Sequence, residues 1–187
     1  MPLVFWLTLF ICGFILSDYN HLTGMVSELG ARGTSSQFVF SSGLILCSLL
    51  SLFFVFGLYK TCRAFNQNIA PVIIILAYTI SIAGAAIFPL PLRLHEIMGM
   101  PSILLILSPL LSLSLWKDKD QSMMSRKIAV ISFLIMSLGF LVYAPDLLGN
   151  YMGLKQRFFH IGWSVWFVSL SYSSLKLLEK NKSKIKM

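Results

Sequence analysis

The sequence predicts an all-α fold: a polytopic membrane helical bundle of six transmembrane helices, with the N- and C-termini cytoplasmic. Three observations carry this expectation. The 187 residues are 57% hydrophobic and only 12% charged, about half the charged share of a soluble domain, and the mean hydropathy is +0.81. The apolar residues gather into six runs, each near the ~20 residues a helix needs to cross a ~30 Å hydrocarbon core, where a backbone must satisfy its own hydrogen bonds. The lysines and arginines divide unequally between the two sets of connections. A single domain over residues 1–187 accommodates all six runs.

The first run, residues 2–17, is short and apolar. It lacks a basic leading segment and a small-x-small cleavage site, so it reads as a retained span rather than a signal peptide. The second, residues 37–59, spaces Gly43, Cys47 and Ser51 four apart. The third, residues 69–91, does the same with Ala77, Ser81 and Ala85, and such stripes let helix backbones approach. Phe88-Pro89-Leu90-Pro91 ends the third run. Residues 98–116 form the fourth, which Pro109 should kink. Residues 127–145 end at Pro145, and residues 158–178 form the last span. Trp6, Trp116, Trp163 and Trp166 suit interfacial anchors. The span centres hold no ionisable side chain, only Tyr78 and several serines, which weighs against a proton- or ion-coupled transporter. Cys12, Cys47 and Cys62 form no motif, so neither a disulfide nor a cysteine zinc site is expected.

Eleven of the 15 basic residues fall on one set of connections: Lys60, Arg63, Lys117, Lys119, Arg126, Lys127, Lys176, Lys180, Lys182, Lys184 and Lys186. That side should be cytoplasmic, in a bacterial inner membrane. The formal charge of +8 is thereby explained by orientation, and no nucleic-acid partner is expected. Asp118, Asp120 and Glu179 are solvated among these lysines, and the tail 180–187 is a basic end facing the inner leaflet.

The outer side is different in kind. It holds His21, His95, His160, Asp18, Glu28, Glu96 and Asp146, with Arg32, Arg93, Lys155 and Arg157. The Gly-punctuated stretch His21–Gly33 should meet two other polar turns there, Arg93–Glu96 and Asp146–His160. Glu28 and Arg32 are four apart and would pair on a helix, as would Arg93 and Glu96 at three apart. Arg157 is suited to grip a phosphate or carboxylate in two-pronged fashion, or else to pair with Glu28 or Asp146. The expected ligand-binding set is Ser27, Glu28, Arg32, Arg93, His95, Gln156, Arg157 and His160, and the catalytic candidates are His95, His160, Glu28 and Asp146. No cofactor is expected. Zinc on His21, His95 and His160 is the alternative, though the chain has no H-x-x-x-H or H-E-x-x-H pair. A Ser27, His95 or His160, Asp146 hydrolase lacks a nucleophile elbow.

Several of these residues recur in a pattern. Val26-Ser27-Glu28-Leu29-Gly30-Ala31 follows the first span, Phe88-Pro89 precedes Leu94-His95, and Gly153-Leu154-x-Gln156-Arg157 leads into Gly162-Trp163 and Trp166. In order and placement this resembles the bacterial and archaeal membrane proteins grouped as domain of unknown function 998. The resemblance covers nearly the whole chain and implies a six-span bundle with these elements clustered at one end. Family members often carry an acid soon after the Phe-Pro pair. This chain has Leu90-Pro91-Leu92 there, so that acid's role is not carried over.

Three functional readings follow. In the first, the outer polar face binds a lipid head group or a membrane partner protein, with Arg157 and Arg32 as anion contacts oriented by Glu28, His95 and Asp146. In the second, the chain is a membrane enzyme on a lipid or isoprenoid, with His95 or His160 as general base, with or without a metal. In the third, it is a small transporter that works as a homo-oligomer.

Overall fold

A computed structural model describes residues 1–116 and 124–185, with side chains to residue 180. The solvated charges expected at Asp118 and Asp120, and the basic side chains beyond Lys180, lie outside it. All regular secondary structure among the described residues is helical, without a strand. Helix α1 is Pro2–Ile15. A 3-10 turn follows at Val26–Gly30, then α2 (Gln37–Ala64) and α3 (Ala70–Ile87). The next passage has three parts: α4 (Arg93–Gly99), a 3-10 stretch (Met100–Ile106) and α5 (Leu107–Leu115). Helix α6 (Arg126–Ser137) tightens into a 3-10 stretch (Leu138–Tyr143), and α7 (Met152–Ile185) closes the chain.

Four stretches are long and apolar enough to cross a membrane: Gln37–Ala64, Ala70–Ile87, Arg93–Leu115 and Arg126–Tyr143. They mark the chain as an integral membrane protein. Helix α1 is apolar but has 14 residues, about 21 Å of rise. Helix α7 is long, but His160, its serines and its lysines make it less apolar.

Neighbouring helices pack in chain order, and α7 returns against α1 and α2 as well as α6. Helix α2 shows why. Its buried residues Phe40, Leu44, Cys47, Ser51, Val55 and Leu58 recur at three and four, while Phe38, Leu46, Phe53 and Phe56 project outward. The outside of the bundle is therefore apolar and its inner seam partly small and polar, as a lipid solvent requires. Gly43 lies against Thr8 of α1, and Ser51 meets Thr79 Oγ1 of α3 at 2.6 Å. At the other close crossing, a Cβ on Gly162 of α7 would stand 2.6 Å from the Met136 backbone nitrogen of α6.

The Pro109 expectation takes a definite form. Proline offers no N–H to the carbonyl one turn back and crowds it. The passage runs as 3-10 helix over Met100–Ile106, and Pro109 stands in the first turn of α5 directly after it.

The tryptophans correct the sequence reading. Trp116, Trp163 and Trp166 are at most 1% exposed and belong to the core rather than to an interfacial belt. Each finds an internal acceptor for its indole N–H: Asn68 O at 2.7 Å, His160 Nδ1 at 3.0 Å and Ser108 Oγ at 3.0 Å. Trp6, half-buried, donates to Ser164 Oγ at 3.1 Å and so ties α1 to α7.

Candidate functional site

The three polar connections do meet at one end of the bundle. The first-turn N–H groups of a helix have no partner within it. In α7 those of Gly153 and Leu154 donate to Thr23 O (3.2 Å) and Leu22 O (2.8 Å) of the first connection. The approach requires glycine, since a Cβ on Gly153 would overlap Gly24 O and stand 2.7 Å from His21 O. Gln156 Oε1 accepts from Val26 N at 2.8 Å, and Arg32 N donates to Leu90 O at 2.7 Å. The chain enters α2 through Gly33, whose φ of +89° favours a residue without a Cβ.

Arg157 sits inside this junction, 8% exposed. Its Nη1 donates to Gly24 O (3.2 Å), and its Nη2 to Tyr19 Oη (2.9 Å) and His21 Nδ1 (3.0 Å). All three partners are neutral, and neither Glu28 nor Asp146 is among them. The guanidinium holds the first connection against α7. His21 Nδ1 must be unprotonated to accept, and burial, helped by the Arg157 charge, pulls the His21 pKa below its ordinary value. Burial raises the Tyr19 pKa, with Arg157 opposing.

The exposed charges are placed differently from expectation. Glu28 Oε2 accepts from Met25 N at 3.2 Å and so caps its own turn. The helix that would have set Glu28 over Arg32 stops at Gly30, two residues before Arg32. Arg32, Arg93, Glu96 and Asp146 are exposed. Lys155 was counted in sequence only as an outer charge. It is 0% exposed, and its Nζ donates to Ala144 O at 3.0 Å.

Below the junction lies a cavity of about 560 Å³ between the Val26–Gly30 turn, α2, α3, α4, the Leu138–Tyr143 stretch and α7. Its walls are mainly apolar, including Phe5, Phe40, Ile82, Met136 and Phe159. Its polar lining includes Ser27, Tyr78, His95, Glu96, Gln156 and His160. Four of the expected ligand-binding residues are thus brought together: Ser27, His95, Gln156 and His160. Glu28, Arg32, Arg93 and Arg157 are not in the lining, and among the described lining residues Glu96 alone carries a formal charge.

The two lining histidines have opposite tautomers. His95 Nδ1 faces two carbonyls at the end of α3, Phe88 O (2.8 Å) and Ala85 O (3.2 Å), so it carries the proton and leaves Nε2 as an acceptor. His160 Nδ1 accepts the Trp163 indole N–H, so Nε2 carries the proton. That Nε2 is buried and has no hydrogen-bond partner among the described residues. Tyr78, 2% exposed, lines the same cavity. The sequence flags Tyr78 only as a polar side chain at depth, and that was the one available signal for it.

Among the described residues no three His, Cys, Asp or Glu side chains gather as a metal-ligand set. His21, His95 and His160 each commit a ring nitrogen to a different neighbour. Ser27 and the two lining histidines share the cavity, but Asp146 is outside it, which separates the Ser-His-Asp constellation.

Residues 1–173 match the family model described as Protein of unknown function (DUF998), and the chain belongs to that family. Neither a curated protein nor a solved structure matches it.

Proposed function

We propose that this family member binds a membrane-soluble amphiphile, a lipid or an isoprenoid, with its chain against the apolar walls and its polar end at the buried polar atoms of the cavity. The observation that carries the reading is a cavity of about 560 Å³ with apolar walls and a buried, unpartnered His160 Nε2. Small-molecule sites commonly combine such a volume with a few convergent polar groups. In this reading the chain crosses a bacterial inner membrane six times, with α1 and α7 as the first and last spans and the polar junction outside. The grouping of three polar connections at one end supports that topology, as does the Lys/Arg asymmetry.

The test is co-purification. Full-length protein in nanodiscs made from native lipid should carry a defined amphiphile, measured by mass spectrometry of the extract. Ala85 lines the cavity, and Ala85→Phe should fill it and reduce the retained amphiphile at least about tenfold while the melting temperature holds. Equal retention by a folded Ala85→Phe protein would sink the proposal.

A membrane enzyme acting on the same class of molecule is the second reading. It is favoured by one observation: the carbonyls that hold His95 Nδ1–H leave Nε2 unprotonated on a residue that lines the cavity. Turnover of the co-purified amphiphile that His95→Gln abolishes would promote it over simple binding.

A further inference from the structure

We infer that the polar end of the amphiphile is an uncharged oxygen function, an ester, ketone or alcohol, and not a phosphate or carboxylate. This rests on the binding reading above and narrows its ligand class.

Two groups deep in the cavity point to an oxygen acceptor. His160 presents an N–H, because Trp163 occupies its other nitrogen at 3.0 Å. The ring is held neutral by the same bond, since a protonated Nδ1 could not accept the indole hydrogen. Tyr78 supplies a hydroxyl from α3. The His160 N–H is a donor that burial has removed from water, and it carries its desolvation penalty until an acceptor reaches it; the Tyr78 hydroxyl lines the same cavity and can donate to that acceptor. Packing fixes their positions: the His160 ring stands 4.8 Å from that of Phe5, and the Tyr78 ring 5.6 Å from that of Trp163.

The charge pattern excludes an anion. A buried phosphate or carboxylate needs a cation or a dense set of donors to replace its hydration. No lysine or arginine is among the described lining residues, and Glu96 adds a negative charge. The buried cations are turned elsewhere, Arg157 to Tyr19, His21 and Gly24, and Lys155 to Ala144. A neutral oxygen has no such need. It accepts from His160 and Tyr78, and an alcohol also has a hydrogen to give.

The experiment holds the chain constant and varies the head. Methyl palmitate, hexadecanol, palmitate and hexadecyl phosphate are titrated into delipidated full-length protein in detergent, with tryptophan fluorescence as the readout, because Trp163 lies against His160 and Tyr78. The ester or the alcohol should bind at least about tenfold more tightly than either anion. Tyr78→Phe keeps the ring and removes the hydroxyl, and should cut the preference severalfold while the protein stays folded. His160→Phe should do the same, and Tyr78→Phe stands as the control if that variant misfolds. Equal or tighter binding of hexadecyl phosphate or palmitate overturns the inference and leaves the binding reading intact. So does a preference unchanged in folded Tyr78→Phe and His160→Phe. If no probe binds, the binding reading falls and the inference with it.

Discussion

Two polar regions lie a few residues apart on α7, and they differ in what their polar atoms do. Around Arg157 the charge is spent: both terminal nitrogens hold the first connection through Gly24, Tyr19 and His21, and Gly153 beside it admits the loop backbone. Around His160 the polar atoms are neutral, and one is unspent. The lesson is that formal charge marks the fastening and neutral donors mark the site. In a low-dielectric bundle an ion must be held by the protein itself, whereas a neutral donor can be left for a ligand at a smaller cost.

The strongest way to break this contrast is to remove the fastening. Arg157→Gln loses charge-assisted bonds worth about 1.5–3 kcal/mol each, offset in part by the burial cost of the guanidinium, for a net loss of about 2–4 kcal/mol. The expected outcome is a lower melting temperature in detergent with the amphiphile still retained below it. Loss of the amphiphile at unchanged stability would instead make Arg157 a ligand contact and erase the distinction between the two regions.

How much of this was legible in the sequence follows the same line. The helices, the polar end and its three connections were readable because apolar run length and charge placement are direct consequences of the bilayer. The Ser27, His95, Gln156 and His160 group was readable in part, since those residues stand in motifs at span ends. The roles of Glu28, Arg32 and Arg157 were not. An i, i+4 pair presumes an α-helix, and the Val26–Gly30 turn is 3-10 and ends early. Arg157 faces a loop 133 residues away in sequence, which no local spacing reports. The tryptophans misled because an indole N–H is satisfied as well by Asn68 O or Ser108 Oγ as by a membrane interface.

A middle-sized effect comes from His21. Its native pKa lies below the ordinary 6.5, from burial first and Arg157 second. As pH falls the unfolded chain takes up this proton before the native one does, so the native state is favoured less. The stabilisation is whole above about pH 6.5 and declines as pH drops from there toward the lowered native value. Arg157 from α7 and Tyr19 from the same connection are the groups that face the ring. In His21→Asn, whose Oδ1 can still accept from Arg157, the extra loss of melting temperature between pH 6.5 and pH 5 should disappear. A variant that keeps the wild-type slope would assign the pH dependence to another group and loosen His21 from the fastening.

The smallest expected effects are the most discriminating. Arg32, Arg93 and Asp146 are exposed, and a lipid-head-group reading of this end would rest on the two arginines. Exposed substitutions away from caps and networks change stability by within about 0.5 kcal/mol, and Arg32 is tied here through its backbone N–H to Leu90 O, which a side-chain change leaves in place. Arg32→Ala, Arg93→Ala and Asp146→Asn should therefore leave both the melting temperature and the retained amphiphile near wild type. If Arg32→Ala or Arg93→Ala sheds the amphiphile, the ligand reaches past the neutral donors to the exposed charges. The polar end would then be one continuous anion site, and the division between a charged fastening and a neutral cavity would fail at its outer edge.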